Sequence, residues 1–213
     1  MWSTQKKTFL QAYPTKTIPL AQLQSYLPYT WLSAVVETDL QKGTYTVITM
    51  DEDSPEYKEL KEQVLLNNSY FKKICRIDQV ENPYLFLMYL LKRHENYLEF
   101  FCKEERCFHG TAATNVDSIM TNNLNWRFFG RRVGHMHGKG VYFSKKAAFA
   151  SQYARFNNND GCLLVAKVLV ASVAQGNSAT VLPAQNYDTT GSGDEILVKY
   201  GDNEFYPEFV VYF

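Results

Sequence analysis

The stretch CFHGTAATNVDSIMTNNL, residues 107–124, decides the fold that this sequence predicts. A short apolar and aromatic run ends at His109 and Gly110, and a plausible helix follows directly. The chain has only four histidines, and this one stands beside the residue type that lets a backbone approach a ligand most closely. Alone, the His-Gly-Thr sequence is better explained by a histidine that caps a strand and a glycine in a turn than by a ligand site, so its surroundings must decide.

The second half of the chain has the pattern of a β-rich domain. Short β-branched and aromatic segments are bounded by Gly, Asn and Asp, and two helical stretches interrupt them, TNVDSIMTNN and KKAAFASQYARF. The last two strands, separated by GDNE, are predicted to form an antiparallel hairpin. No G-x-G-x-x-G sequence supports a Rossmann fold. The pattern predicts an α+β fold built on a mainly antiparallel sheet.

The first half is predicted to contain two helices that begin in the same way. Ser54 and Asn82 are candidate N-caps, and each is followed by a proline at the first helical position. The second of these helices is apolar on nearly all sides and is expected to be buried.

Composition narrows the class of protein. The 213 residues contain 22 basic and 22 acidic side chains, so no overall positive charge points to nucleic acid. No apolar run is long enough to cross a membrane, and the N-terminus lacks the apolar region of a secretory signal. The four cysteines form no C-x-x-C pair. We expect an intracellular protein, cytoplasmic or nuclear, with reduced thiols and no metal; His135 and His137 alone make a weak metal site.

Two tyrosines follow a glycine-rich turn at a distinctive spacing. Gly138 and Gly140 lead into a short strand that carries Tyr142, and Tyr153 lies eleven residues later on a predicted helix. If the strand runs directly into the helix, both rings can face one cleft. Two core aromatics would give the same pattern.

Together these segments resemble a known family. FHGTAATNVDSIMTNNLNWRFFG (108–130) and GKGVYFSKKAAFASQYA (138–154) resemble the catalytic domain of the PARP-type, diphtheria-toxin-like ADP-ribosyltransferases, and the small mono-ADP-ribosylating members most. The resemblance extends over residues 18–213 and leaves residues 1–17 as an N-terminal extension. It implies a two-sheet, mainly antiparallel ADP-ribosyltransferase core with flanking helices.

The resemblance also implies an NAD+ site. His109 would hydrogen-bond the adenosine-side ribose, and Gly110 would hold the nicotinamide carboxamide through its backbone, where a Cβ would obstruct the amide. Tyr142 and Tyr153 would sandwich the nicotinamide ring. The loop of residues 126–137 would cover the cofactor. The remaining cofactor-binding candidates are Thr111, Arg127, Gly138, Phe143, Ala150 and Ser151, with Arg131 and Arg132 explained equally well as part of a solvated basic loop.

Two departures from the family pattern bear on activity. Polymer-forming members use a glutamate where this chain has Ile196, which gives a His109–Tyr142–Ile196 triad. An error of one residue in register would place Glu195 there instead, because neighbouring strand residues face opposite sides; Glu208 is a poorer candidate. Where the family usually has a serine that bonds the carboxamide, this chain has Ala150, with Ser151 beside it.

The function implied is that of a mono-ADP-ribosyltransferase. It would cleave the nicotinamide–ribose bond of NAD+ and transfer one ADP-ribose unit to a protein acceptor, which includes the chain itself. NAD+ would be a substrate, and no metal would be needed. Two alternatives stay open: a catalytically inactive interaction module with the same fold, and an enzyme that modifies nucleic acid ends.

Overall fold

The computed structural model describes residues 19–31, 35, 37–128, 135–155, 161–192 and 194–213. Short 3-10 turns occur at Glu37–Leu40, Ala113–Asn115 and Trp126–Phe128. The described α-helices are α1 (Leu20–Gln24), α2 (Pro55–Leu65), α3 (Pro83–Phe100), α4 (Val116–Asn122) and α5 (Ala147–Arg155).

A nine-stranded sheet, as far as the described residues show, forms the centre of the protein. The strands are β1 (Thr46–Thr49), β2 (Arg76–Glu81), β3 (Lys103–Ala112), β4 (Val141–Ser144), β5 (Gly161–Val170), β6 (Val173–Ala174), β7 (Thr189–Gly191), β8 (Ile196–Lys199) and β9 (Phe205–Tyr212). Their order is β1-β2-β9-β5-β3-β4-β8-β7-β6. Among the strand pairs of the described residues, only β6–β7 is parallel. The predicted α+β, mainly antiparallel fold is therefore confirmed.

The sheet has a narrow junction between β3 and β4. All ten residues of β3 pair with β5, whereas its described pairing with β4 consists of Phe108 and Ser144. The two expected sheets are thus two halves of one hydrogen-bonded sheet. Past this pair the two strands diverge, and the opening between them begins at His109.

The predicted hairpin of the last two strands is wrong. β8 pairs with β4 and β7, whereas β9 pairs with β2 and β5. The turn at residues 201–204 therefore carries the chain from one half of the sheet to the other. The physical reason is burial: most residues of β9 are buried on both of its faces, so β9 belongs in the centre of the sheet between two partners.

The helices α2 and α3 begin at the N-cap residues predicted from the sequence. The Ser54 side chain accepts a hydrogen bond from the Tyr57 backbone nitrogen, and the Asn82 side chain accepts one from the nitrogen of Leu85. The expected burial of α3 on all sides is only partly right. Its start packs on the sheet through Leu85, Phe86 and Tyr89, but Leu91 is 66% exposed.

Each face of the sheet has its own apolar core. On one face Phe143, Leu197 and Val210 pack with α4. On the other face Phe108 and Leu163 pack with α2 and α5. This second core holds α5 across the end of β3, and α5 carries Tyr153 there.

Two buried thiols in the sheet predict a loss of stability at alkaline pH. Burial raises the pKa of the Cys107 and Cys162 thiols from 9.0 to about 12. An unfolded chain releases these protons near pH 9, so the folded state loses stability as the pH rises from 9 towards 12. Between pH 9 and 10 the free energy of unfolding should fall by up to ~1.4 kcal/mol per pH unit for each thiol.

Urea unfolding at pH 8 to 10 measures this slope. Cys107→Ala and Cys162→Ala should each make it shallower, and Cys75→Ala, which changes an exposed thiol, should leave it unchanged. An unaltered slope in the Cys107→Ala/Cys162→Ala double variant would contradict the assignment.

Candidate active site

A cavity of about 550 Å³ opens where β3 and β4 diverge. One wall is formed by the end of β3, the second by β4, and the third by α5, while α4 and the segment that follows it close the remaining side. The described residues that line it are Phe108, His109, Gly110, Thr111, Asn115, Ser118, Ile119, Asn123, Leu124, Asn125, Phe128, His135, Gly140, Val141, Tyr142, Phe143, Ser144, Phe149, Ala150 and Tyr153.

His109 bridges the gap between the two strands. Its Nδ1 lies 2.8 Å from the backbone oxygen of Tyr142. A carbonyl oxygen can only accept, so Nδ1 carries the proton, and Nε2 of the neutral ring can then only accept a hydrogen bond. An imidazole in this tautomer is suited to accept a hydrogen bond from a sugar hydroxyl through Nε2. Phe143 packs beside the ring, with the two centroids 5.9 Å apart.

Tyr142 and Tyr153 both line the cavity. Burial raises the pKa of Tyr142 to about 12, and the nearby Tyr200 and Tyr153 add to the rise. The Tyr142 hydroxyl accepts from the His137 nitrogen at 3.0 Å and donates to the Gly138 oxygen at 2.8 Å. Tyr142 is therefore a neutral phenol at physiological pH whose ring, not its hydroxyl, is presented to a ligand.

Gly110 lines the cavity through its backbone, and the structure gives a packing reason for a glycine at this position. A Cβ at this position would overlap the carbonyl oxygen of Ala150 and lie 2.9 Å from the nitrogen of Ala154. The absent side chain is thus required by the close packing of α5 on β3. That a Cβ would also obstruct a bound amide stays a prediction.

Ala150, at the family serine position, and its neighbour Ser151 face different ways. Ala150 lines the cavity. Ser151 is fully buried; its hydroxyl donates to the Ala147 oxygen at 2.8 Å and accepts from Asn68 Nδ2 at 2.8 Å. Ser151 therefore ties α5 to the end of α2, and the expected contact of Ser151 with the cofactor does not fit this orientation. One step along a helix turns a side chain by about 100°, which explains the difference.

A pair of substitutions separates these two positions. Ala150→Ser should place a hydroxyl in the cavity and lower the KM for NAD+ roughly 2- to 10-fold, the effect of one added hydrogen bond. Ser151→Ala should lower the free energy of unfolding by about 1–3 kcal/mol and leave KM unchanged, because one N–H of the buried Asn68 amide loses its acceptor while the other stays bonded to the Val64 oxygen. The two are measured by nicotinamide release and urea unfolding. A raised KM in Ser151→Ala alone would contradict this placement.

The register of β8 separates Ile196 from Glu195. Tyr142 pairs with Val198 and Ser144 pairs with Ile196, so alternation along the strands places Ile196 on the same face as Tyr142. The Glu195 carboxylate lies 3.3 Å from Lys146 Nζ, and its backbone oxygen accepts from the Lys145 nitrogen. Neither residue is among the described residues that line the cavity.

Three further expectations concern the loop over the cavity. Arg127 forms a bidentate pair with Asp202, at 2.8 and 2.9 Å, and does not line the cavity as it is described; its expected role towards the cofactor does not fit this contact. Gly138 also lies outside the lining set and packs on Tyr200 at a φ of +133°. Arg131 and Arg132 fall outside the described residues.

By contrast, Phe143 and Thr111 line the cavity, and Thr111 accepts from Asn115 Nδ2 at 3.1 Å.

A polar wall of the cavity was not predicted from the sequence. It consists of Asn115, Ser118, Asn123 and Asn125, from α4 and its two ends. Asn123 has a positive φ of +67°, and its Nδ2 donates to the Phe205 oxygen at 3.0 Å. The signal was the amide-rich run TNNLN directly after a helix, since Asn adopts a positive φ more often than most residues other than Gly.

No cluster of three His, Cys, Asp or Glu side chains suited to a metal ion occurs among the described residues. None of the described helices combines the length and apolarity that crossing a bilayer requires.

The fold and the cavity define a class: an α+β domain in which a strand-end histidine and two tyrosines surround an elongated, partly polar cleft. Comparison with known proteins gives the family. The family model of the poly(ADP-ribose) polymerase catalytic domain matches residues 54–210. The chain therefore belongs to the poly(ADP-ribose) polymerase catalytic domain family.

Named relatives agree with this family. The chain is 30% identical over 193 residues to human protein mono-ADP-ribosyltransferase PARP12. The matched region covers 84% of this chain and 26% of that protein. It is 23% identical over 214 residues to mouse protein mono-ADP-ribosyltransferase PARP11, covering 79% of this chain and 60% of that protein. The chain thus spans about a quarter of the length of the PARP12 proteins of human and mouse.

Proposed function

We propose that this protein is an NAD+-dependent mono-ADP-ribosyltransferase that transfers one ADP-ribose unit to a protein acceptor, itself included. The observation that supports this most is the gathering of His109, Gly110, Tyr142 and Tyr153 around one cavity. The two tyrosines lie more than thirty residues along the chain from His109 and Gly110, and by resemblance these four residues correspond to the NAD+ site of the family. Both PARP12 and PARP11 are named as mono-ADP-ribosyltransferases.

The chemistry required is cleavage of the bond between nicotinamide and ribose C1′. Such bonds break through a transition state that resembles an oxocarbenium ion. Nicotinamide leaves as a neutral molecule from a cationic ring, so no general acid is needed. The protein has to hold the dinucleotide in one pose: His109 Nε2 accepts from a ribose hydroxyl, and the phenol rings of Tyr142 and Tyr153 stack on the pyridinium.

Transfer of a single unit follows from the side chain at position 196. An isoleucine cannot accept a proton or orient a sugar hydroxyl, so an ADP-ribose already attached is not activated as the next acceptor. The nearest alternative, Glu195, is held at the surface by Lys146. The first transfer would then depend on the nucleophilicity of the acceptor side chain itself.

Incubation with radiolabelled NAD+ tests the proposal. We expect one discrete labelled band, released nicotinamide in equal amount, and no ladder. A ladder would show that a carboxylate such as Glu195 acts in the site. Absence of both label and nicotinamide release would favour an inactive interaction module, the alternative to which Ala150 gives weight. Added RNA and DNA ends show whether nucleic acid is an acceptor.

The cellular setting stays a proposal. The four cysteines are unpaired thiols, two of them buried, which suits a reducing compartment. We therefore infer a cytoplasmic or nuclear protein. Separately, from the extent of the family resemblance, we infer that the catalytic domain begins near residue 18.

A further inference from the structure

Two buried hydroxyl groups hold the loop that enters β4. Thr190 in β7 is 1% exposed and Tyr200, directly after β8, is 5% exposed. The Thr190 hydroxyl donates to the carbonyl oxygen of His137 and is also hydrogen-bonded to the Tyr200 hydroxyl. Since threonine has a single hydroxyl proton, which goes to His137, the Tyr200 hydroxyl donates to Thr190 Oγ1. The Tyr200 hydroxyl also lies 3.4 Å from the same His137 oxygen. The result is a chain of two hydrogen bonds that ends on one peptide carbonyl.

Close packing holds the same peptide from two sides. A Cβ on Gly138 would overlap the Tyr200 hydroxyl and lie 3.1 Å from Thr190 Oγ1. A Cβ on Gly176 would overlap the carbonyl oxygen of His137 and lie 2.9 Å from Thr190 Cβ. The loop therefore fits against Thr190 and Tyr200 with no space for a methyl group.

This peptide is linked directly to the cavity. The backbone nitrogen of His137 donates to the Tyr142 hydroxyl at 3.0 Å, while the carbonyl of the same residue meets Thr190. The Tyr142 hydroxyl in turn donates to the Gly138 oxygen at 2.8 Å. The position of the Tyr142 ring is thus coupled to that of the loop. Burial raises the pKa of Tyr200, so its hydroxyl keeps its proton near neutral pH.

We propose that Thr190 and Tyr200 are positioning residues that fix the Tyr142 ring for NAD+ through the peptide of His137 and Gly138. This inference rests on the proposed function, because it takes the cavity as the NAD+ site. Neither residue lines the cavity as it is described. Both act through hydrogen bonds to the loop, so removal of either hydroxyl would leave the cavity walls in place and loosen one of them.

The variants Tyr200→Phe and Thr190→Val remove each hydroxyl with little change in shape. Tyr206→Phe is the matched control: Tyr206 is 1% exposed, and its hydroxyl donates to the Val80 oxygen at 2.8 Å in the other half of the sheet. Three quantities are measured: the thermal midpoint, KM and kcat for nicotinamide release, and the Kd of a non-cleavable NAD+ analogue.

Tyr200→Phe and Thr190→Val should each raise KM and Kd roughly 3- to 10-fold, as expected for one hydrogen bond, with kcat changed less than about twofold. The double variant should be less than additive, since both hydroxyls act on one carbonyl. Tyr206→Phe should lower the thermal midpoint and leave KM and Kd unchanged.

Equal thermal losses in all three variants with unchanged KM and Kd would overturn the proposal, because the hydroxyls would then be structural only. The analogue separates this inference from the proposed function. A wild-type protein that binds the analogue without releasing nicotinamide from NAD+ refutes transfer, while the Kd ratios still decide on Thr190 and Tyr200. A wild-type protein that does not bind the analogue refutes both.

Discussion

His109→Ala should lower kcat/KM for NAD+ by about 100-fold while the protein stays folded. The substitution removes the imidazole that faces the cavity and also the hydrogen bond from Nδ1 to the Tyr142 oxygen, 2.8 Å away. The substrate ribose then loses an acceptor, and β3 loses a contact across the gap to β4. Misplacement of a bound substrate by about 1 Å is enough for a loss of this size.

The measurement is nicotinamide release over a range of NAD+ concentrations, with urea unfolding in parallel. His94→Ala is the control, since His94 is exposed on α3, and it should behave as the wild type. An unchanged kcat/KM in His109→Ala would contradict the assignment of the site. So would a loss fully explained by unfolding.

Gly110→Ala should destabilise the protein by about 3 kcal/mol, the upper end of the usual range for overpacking. The new Cβ meets the backbone of Ala150 and Ala154, and backbone atoms of a packed helix cannot rotate aside as a side chain can. α5 would have to move away from β3, and Tyr153 and Ala150 would move with it. NAD+ binding should therefore be lost together with stability.

Gly43→Ala serves as the comparison. Gly43 has a φ of +96°, and the nearest atom to an added Cβ is 3.5 Å away, so this variant has backbone strain of about 1–2 kcal/mol without a clash. Urea unfolding of both variants compares the free energy lost to a steric clash, in Gly110→Ala, with that lost to backbone strain, in Gly43→Ala. A Gly110→Ala protein with wild-type stability that fails only to bind NAD+ would show that the glycine clears space for the ligand, and would contradict the packing explanation.

Local features of the fold were predictable from the sequence because their causes are local. Ser54 and Asn82 cap their helices through bonds that span three residues. The glycine-rich turn before Tyr142 and the eleven-residue spacing to Tyr153 bring both rings to one cavity once β4 runs into α5. Family resemblance supplied what spacing alone could not, namely that His109 belongs to the same cavity.

The errors concern contacts between distant parts of the chain. A four-residue turn does not reveal whether β8 and β9 pair, because pairing is decided by which strand is buried on both faces. The role of Gly110 depends on how closely the backbone of α5 approaches β3, a distance with no trace in the local sequence. Ser151 and Arg127 have partners, Asn68 and Asp202, that are more than seventy residues away along the chain.

The most direct measurement is a crystal structure of the protein soaked with nicotinamide. We expect the pyridine ring between the phenol rings of Tyr142 and Tyr153, with the carboxamide against the backbone of Gly110 and Ile196 on the face shared with Tyr142. A nicotinamide bound elsewhere, or a Glu195 carboxylate turned from Lys146 into the cavity, would contradict it.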